Sequence, residues 1–381
     1  MSFTEQDRGF MERALTLAAT GRGAVEPNPM VGAVVVKDGR VVGAGCYRRF
    51  GGPHAEVLAL QEAAGQARGA TIYVTLEPCD HYGKTPPCAP LVAEAGLRRV
   101  VVAALDPTDA EPGGGARLLT GRGVQVEVGL CREEAVRLNA GFFKLAATGR
   151  PLVIAKWAMS ADGKIATASG DSRFINSDAS RRLVHEVRGL VDCIIVGSRT
   201  VARDDPLLTC RDAELRRVAA RLVMCGRSAP AAGSRLVGTA AEAPVLMAYP
   251  AGHAPEGLDA LVGLGCEALP VPGSPPGRVS PEGLLSELGA RRMTNVLVEG
   301  GAEVLGSFFD AGLVDRIMAF VAPLVVGGAG ATTAVAGRGT ETIEAALRLH
   351  EPKVTPTGPD VLIEGWTADP MRWAPAAPAE P

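Results

Sequence analysis

Three residues with soft ligand atoms constrain this chain more than any other feature. His54, Cys79 and Cys88 each directly follow a proline. One imidazole and two thiolates are the ligand number of a catalytic zinc site, which keeps a fourth position open for water. The other cysteines lack a partner at ligand-type spacing and are expected to pack as small hydrophobic residues. The chain must therefore fold so that these three residues meet.

Glu56 adds a reaction to this predicted metal site. It stands two residues after His54, where it can act on a water molecule without being a ligand. His-x-Glu followed by Pro-Cys and a second Cys is the signature of zinc deaminases of nucleobase-like rings. The pattern predicts hydrolytic replacement of an exocyclic amine by oxygen, with Glu56 as proton carrier. Two interpretations stay open: a structural zinc with His81 as fourth ligand, and plain packing of the two cysteines.

Length and charge narrow the class of protein. A chain of 381 residues exceeds one ordinary core and predicts two domains. Its net charge of −3 shows no electrostatic footprint for nucleic acid or an anionic membrane. Neither a signal peptide nor an 18-residue apolar run is visible, and the cysteines form no disulfide pattern. We expect a cytoplasmic protein with no nucleic-acid or membrane partner.

Hydrophobic periodicity predicts alternating strands and helices on both sides of a break at 146–151. Before the break, a helix begins near His54 and another spans about Ala89 to Ala95, between strands at 71–75 and 100–104. Beyond it, six further strands begin near residues 152, 193, 221, 245, 295 and 317. The alternation is typical of α/β sheets covered by helices. Residues 368–381 are rich in Pro and Ala and are predicted to be a disordered tail.

A glycine pair in the second half indicates a candidate binding site for an anion. Gly300-Gly301 follows a predicted strand and opens a predicted helix. Backbone N–H groups at such a turn can hold a cofactor phosphate, and a plain tight turn is the alternative.

Two sets of motifs resemble the bifunctional deaminase–reductase family of riboflavin biosynthesis. In the first half they are Asn28-Pro29-Met30-Val31-Gly32, His54-Ala55-Glu56 and the run Thr75 to Cys88, with eight residues between its two cysteines. In the second half they are Lys156, Met159 to Lys164, Asp204 to Thr209, and Val298-Glu299-Gly300-Gly301. The resemblance covers about residues 4–366.

The resemblance implies a fold and two consecutive reactions. Residues 1–147 would form a cytidine-deaminase-like three-layer domain that uses zinc to deaminate a phosphoribosylamino-diaminopyrimidinone. Residues 151–367 would form a dihydrofolate-reductase-like α/β domain that uses NADPH to reduce the ribosyl group to ribityl. The substrate is then a small phosphoribosyl-pyrimidine, and a homo-oligomer is expected.

Carried over by position, the resemblance also implies site residues. His54, Cys79 and Cys88 would hold zinc, and Glu56 would be catalytic. Contacts to substrate would come from Asn28, His81, Lys84 and Asp106 in the first site, and from Lys156, Ser172, Arg188, Leu208, Arg211 and Glu299 in the second. NADPH would contact Ala158, Phe174, Thr200, Asp204, Gly301, Ala302, Glu303, Val304, Leu305, Gly306 and Ser307. Arg188 and Arg211 suit a sugar phosphate because guanidinium pairs bidentately with its oxygens.

Some positions depart from the family pattern. Tyr47 stands where the family usually has His, and Thr108 where it usually has Asn. Ala161, Phe174 and Cys225 replace the usual Leu, Trp and Asp in the second half. These changes motivate an alternative hypothesis, in which the C-terminal domain binds or dimerises but no longer reduces. A third hypothesis, a zinc-stapled module that binds nucleic acid, conflicts with the acidic balance and the 4% aromatic content.

Overall fold

The computed structural model describes residues 3–83, 86–108 and 112–376 and divides the chain into two compact units. The first unit holds the chain up to Thr148 together with the segment from Pro370, and the second runs from Gly149 to Asp369. Each has its own sheet and its own hydrophobic core. No helix among the described residues has both the length and the apolar content needed to cross a bilayer.

The first unit is a five-stranded sheet with helices on both faces. Its strands lie in the order β2-β1-β3-β4-β5, and β1 runs antiparallel to both of its neighbours while β3, β4 and β5 are parallel. Its elements are α1 (Glu5–Ala19), β1 (Gly32–Lys37), β2 (Arg40–Cys46), α2 (Ala55–Ala63), β3 (Thr71–Leu76), α3 (Cys88–Glu94), β4 (Arg99–Ala104), α4 (Gly114–Gly121), β5 (Gln125–Val128), α5 (Arg132–Leu138) and α6 (Ala140–Thr148). A short 3-10 helix, Ala64–Ala67, follows α2.

Small residues let α2 lie close to the sheet. Ala55, Ala59 and Ala63 are fully buried in the core. A Cβ added at Gly43 of β2 would lie 2.2 Å from the carbonyl oxygen of Ala59, and one at Gly45 would lie 2.3 Å from that of Ala55. Because no side chain fits there, β2 and α2 pack backbone to backbone. This contact sets where α2 begins, and with it the position of His54.

The second unit is built on a nine-stranded sheet. The strand order is β11-β10-β9-β8-β12-β6-β13-β16-β15, parallel except for the antiparallel β16 and β15 at one edge. Its strands are β6 (Leu152–Ser160), β7 (Lys164–Ala166), β8 (Cys193–Gly197), β9 (Ala220–Met224), β10 (Val245–Pro250), β11 (Glu267–Val271), β12 (Asn295–Gly300), β13 (Arg316–Ala322), β14 (Thr332–Thr333), β15 (His350–Thr357) and β16 (Asp360–Trp366), of which β7 and β14 form a separate pair. Its helices are α7 (Asp178–Arg188), α8 (Ser198–Asp204), α9 (Arg235–Gly238), α10 (Leu258–Gly263), α11 (Pro281–Ala290) and α12 (Ala302–Asp310).

The end of the chain differs from the sequence prediction. Within 368–381, predicted as a disordered tail, Pro370–Trp373 forms a 3-10 helix that contacts α6. Trp373 is buried, and the ammonium of Lys144 lies over its ring, 5.6 Å from the centroid. Burial of one large aromatic side chain stabilises this short helix, although the Pro/Ala-rich composition predicts disorder. Residues 377–381 lie outside the described residues.

Asp7 links α1 to the sheet of the first unit. Its carboxylate accepts hydrogen bonds from the Tyr73 hydroxyl at 2.6 Å and from the backbone N–H of Thr4 at 2.9 Å, and it pairs with Arg99. Burial acts to raise the pKa of Asp7, but these hydrogen bonds hold it well below its usual range.

We expect Asp7→Asn to lower the free energy of unfolding by about 2 kcal/mol at pH 7. A depressed carboxyl pKa stabilises the fold above the unfolded value of about 3.9, and this contribution is lost as the pH falls below it. The difference in free energy of unfolding between the variant and the unaltered protein, measured by urea unfolding, should therefore become smaller from pH 5 to pH 3. Glu5→Gln, an exposed change in the same helical turn, is the control. The same difference in free energy of unfolding at every pH would contradict this account of Asp7.

Candidate active sites

The three predicted ligands meet in the first unit. His54 is the residue before α2, Cys79 follows β3, and Cys88 is the first residue of α3. The Nδ1 of His54 lies 3.2 Å from the Sγ of Cys88 and 3.7 Å from that of Cys79. The ligand atoms of all three lie within 4.8 Å of one another, and no other such group occurs in the described part of the chain. This soft S, S, N set fits a zinc ion with one open position.

The two thiols differ in their electrostatic environment. Hydrogen bonds from the Cys88 thiol and backbone N–H, together with the bond to His54, lower the pKa of Cys79 to about 4. The neighbouring Cys79 thiolate and burial instead raise the pKa of Cys88. The hydrogen bond to Cys79 also raises the pKa of His54, with further contributions from the charges of Glu56 and Asp106. Two thiolates side by side are therefore unfavourable here, and a divalent cation held between them would remove that cost.

Glu56 lies beside this group and is almost completely buried. As the second residue of α2, it has 3% of its surface exposed. Burial raises its pKa to about 7, since a carboxylate loses hydration there and His54 only partly offsets the loss. A carboxyl group that titrates near neutral pH is suited to take up and release a proton during turnover.

The predicted substrate contacts of the first unit lie around the same place. Asn28 donates its side-chain N–H to the Tyr47 hydroxyl at 3.0 Å, and the ring of Tyr47 packs edge-on against that of His54. Asp106 is buried, and its carboxylate accepts from the backbone and hydroxyl of Thr108. His81 is half exposed, 3.9 Å from the carboxylate of Asp80. Lys84 lies outside the described residues.

The second unit gathers a buried cluster of charges. The Nε and Nη2 of Arg188, at the end of α7, donate to the two carboxylate oxygens of Glu299 at 2.6 and 2.9 Å. The ammonium of Lys156 on β6 lies 3.7 Å from the same carboxylate. Burial acts to raise the pKa of Glu299, but these two cations lower it to about 2. Burial lowers the pKa of Lys156.

The cluster gives Arg188 a partner within the protein. The Nε/Nη2 edge of its guanidinium is engaged with Glu299, so it orients that carboxylate, and the Nη1 side is the part that would meet a phosphate. Arg211 is exposed, and its guanidinium donates to the Thr209 hydroxyl at 2.9 Å. The structure adds His185, whose Nδ1 accepts from the Arg211 backbone N–H at 3.1 Å. The sequence signal for His185 is its spacing of three residues from Arg188, because residues three apart on a helix lie on the same face.

Thr200 and Gly301, two of the residues predicted to contact NADPH, meet at the start of α12. Gly301 precedes this helix and donates its N–H to the Thr200 hydroxyl at 3.1 Å. A helix start behind a glycine pair fits a cofactor phosphate through first-turn N–H groups. Asp204 accepts from the Ser172 hydroxyl at 3.0 Å, and Ala158 lies on β6. Leu208 is buried with a positive φ of 53°, while Phe174 is 80% exposed.

Along α12, the predicted cofactor-contact residues face different surroundings. Glu303 pairs with Arg199, and the Ser307 hydroxyl donates to the Val304 carbonyl at 2.7 Å. Ala302, Leu305 and Gly306 are buried, so the helix offers its backbone at its start and side chains to the core.

Comparison with known proteins assigns each unit. Residues 4–104 match the cytidine and deoxycytidylate deaminase zinc-binding region, and residues 151–363 match the RibD C-terminal domain. The riboflavin biosynthesis protein RibD of Aquifex aeolicus is 38% identical over 94% of this chain and 98% of its own length. That of Escherichia coli is 36% identical, over the same two shares of chain and length.

Two solved structures match this chain over most of its length. Acinetobacter baumannii RibD superimposes with a TM-score of 0.84 at 34% identity, covering 95% of this chain and 99% of that one. The Thermotoga maritima diaminohydroxyphosphoribosylaminopyrimidine deaminase/5-amino-6-(5-phosphoribosylamino)uracil reductase gives 0.80 at 35% identity, covering 94% and 98%.

The protein is thus a zinc-dependent deaminase joined to an NADPH-dependent reductase. It belongs to the RibD family of bifunctional enzymes of riboflavin biosynthesis. The predicted fold class, a cytidine-deaminase-like domain followed by a dihydrofolate-reductase-like α/β domain, is confirmed, as are the two cofactors. The match over residues 151–363 supports the bifunctional interpretation over a C-terminal domain that only binds or dimerises.

We expect metal analysis to find about one zinc per chain, as in a catalytic site with three protein ligands. His54→Ala and Cys88→Ala should each lose most of this zinc and all deamination, because two remaining ligands hold zinc weakly. Reduction, measured separately, should persist in both variants. Cys46→Ala, a buried cysteine outside the group, is the matched control and should keep its zinc. Full zinc content in Cys88→Ala would contradict the ligand set.

Proposed function

We propose that the two domains, 1–147 and 151–367, catalyse consecutive steps on one pyrimidine. The first hydrolytically deaminates 2,5-diamino-6-(5-phosphoribosylamino)pyrimidin-4-one, and the second uses NADPH to reduce the ribosyl group of the product to ribityl. The observation that carries the proposal is the convergence of His54, Cys79 and Cys88 beside the buried Glu56. The Thermotoga maritima relative bears the names of both activities.

In the deaminase domain, we assign His54, Cys79 and Cys88 as zinc ligands. Zinc bound there would supply Lewis-acid activation of water at neutral pH. Glu56 would take one proton of the attacking water and deliver it to the ring nitrogen, and would then carry the proton left on the added hydroxyl to the departing amine. Its raised pKa supports this role, since a group that titrates near the working pH both accepts and donates readily.

Around these residues, Asn28 and Asp106 would hold the pyrimidine, and His81 with Lys84 would hold the ribose phosphate. The position of Asp106 supports its role, because its charge acts on both His54 and His81. The Tyr47 hydroxyl, which accepts from Asn28, fixes the direction of that amide.

In the reductase domain, Glu299 would accept hydrogen bonds from the ribosyl hydroxyls, and Lys156 would contact the substrate beside it. NADPH, when bound, would supply the hydride. The Glu299 carboxylate stays ionised between Arg188 and Lys156, so it is available as an acceptor. Arg188 and Arg211 would hold the phosphate, with Ser172 and Leu208 completing the substrate contacts. Ala158, Phe174, Thr200, Asp204 and residues 301–307 would contact the cofactor.

We also propose that the enzyme is a cytoplasmic homo-oligomer. Val354 of the edge strand β15 and Val361 of its neighbour β16 are exposed, and an unpaired sheet edge is a common site of self-association. A reducing compartment would keep Cys79 and Cys88 as zinc ligands. Light scattering of the purified protein tests the oligomer.

One assay tests both steps. The zinc-loaded enzyme is given NADPH and the diaminopyrimidinone ribose phosphate, and ammonia release and NADPH absorbance are followed together. Ammonia release with matching NADPH consumption is the expected result. Ammonia release without NADPH consumption would contradict the reductase assignment. If a zinc chelator left ammonia release unchanged, the deaminase assignment would be contradicted.

Glu56→Gln should keep zinc and lose deamination by roughly 100-fold or more, because the amide cannot carry the proton. Zinc content and NADPH turnover on the deaminated substrate should match those of the unaltered enzyme. Glu62→Gln removes a carboxylate from the exposed side of the same helix and serves as control. Deamination at the normal rate in Glu56→Gln would refute the role of this residue.

Lys156→Ala should spare deamination and cut NADPH turnover by about 100-fold, since it removes a buried group that would act in the transition state. Ammonia release in the same sample reports whether the chain is intact. Lys353→Ala, on the exposed strand β15, is the control for the loss of one lysine. Equal loss of both activities would indicate a folding defect and contradict the assignment.

A further inference from the structure

Glu77, immediately after β3, holds a distant segment of the deaminase domain by three backbone hydrogen bonds. Its carboxylate is buried, with 3% of the residue exposed. One oxygen accepts the N–H groups of Asp106 at 3.2 Å and Gly113 at 3.0 Å, and the other accepts that of Ala116 at 2.9 Å. A buried carboxylate that accepts several N–H groups is a strong and directional anchor.

The three donors belong to the segment that joins β4 to α4. Asp106 is the second residue after β4. Gly113 lies just before α4, and Ala116 lies in its first turn. Gly113 has no side chain with which to cap this helix. Glu77 supplies the missing acceptor, and its negative charge lies at the positive end of the helix dipole.

The same segment packs tightly against the turn that carries Cys79. A Cβ added at Gly115 would lie 2.0 Å from the carbonyl oxygen of Pro78. The start of α4 therefore touches the backbone directly before the predicted zinc ligand. Glu77 and Pro78 together tie the Cys79 turn to the segment that carries Asp106.

We propose that Glu77 is a positioning residue of the deaminase, which holds Asp106 in the direction that binds the pyrimidine. This inference rests on the proposed function, in which Asp106 contacts the substrate. We assign Glu77 no contact with the substrate, because its buried carboxylate faces the three backbone N–H groups. Its action on binding passes through the backbone of Asp106.

The test is a double-variant cycle in the zinc-loaded, full-length enzyme. Glu77→Gln, Asp106→Asn and the double variant are compared for the kcat and KM of ammonia release. Gln keeps one acceptor oxygen but turns an NH2 group towards another N–H group, so the segment loosens without an added cavity. Glu127→Gln, a charge-neutralising change on β5 that leaves the site untouched, is the matched control.

We expect Glu77→Gln to raise the KM of deamination about tenfold with kcat within about threefold, the pattern of weakened substrate binding. Zinc content and reductase activity should be unchanged. The double variant should be no worse than the poorer single variant, because both changes remove the same interaction. Glu77→Ala should be poorer than Glu77→Gln, and Glu127→Gln should behave like the unaltered enzyme.

Other results would overturn the inference. An unchanged KM in Glu77→Gln, or additive effects in the double variant, would show that Glu77 does not act through Asp106. Loss of zinc, or of reductase activity as well, would show a merely structural role. If Glu77→Ala does not fold, Glu77→Gln alone decides. Absence of ammonia release by the unaltered enzyme would instead reject the proposed function, a result distinct from any of these.

Discussion

The deaminase site depends on the close contact between α2 and β2. Because Gly43 and Gly45 present no side chains, the alanine face of α2 meets the strand at backbone distance. The first turn of α2 is thereby held beside the ends of the neighbouring strands. His54 then reaches the two cysteines, and Glu56 is carried into the interior beside them. Its raised pKa follows directly from that burial.

Both proposed sites contain a carboxyl group shielded from water, but the neighbours of the two groups differ. Glu299 lies between Arg188 and Lys156, and these cations keep it ionised. Glu56 has no such cation among its described neighbours except His54, so burial dominates and its pKa rises. One carboxyl group is thus suited to accept hydrogen bonds, and the other to move a proton.

The motifs could be predicted because their chemistry is local in sequence. Pro53 and Pro87 mark helix starts, and the structure places His54 and Cys88 at those starts. Other elements were missed for physical reasons. The first turn of α4 contains two glycines, which are poor helix formers, so its start carries no sequence signal. The 3-10 helix Pro370–Trp373 is ordered by tertiary packing of one tryptophan, which composition does not reveal.

The sequence by itself predicted the chemistry: a metal site of soft ligands beside a carboxyl group and, through resemblance to a known family, a deaminase domain followed by a reductase domain. The predicted metal site follows from residue types at short, fixed spacings. Only the tertiary structure decided which groups pair with one another. Arg188 pairs with Glu299, 111 residues later, and Glu77 holds backbone groups 29 to 39 residues away. Such pairings depend on how strands are ordered in a sheet, and strand order is set by the packing of the whole core.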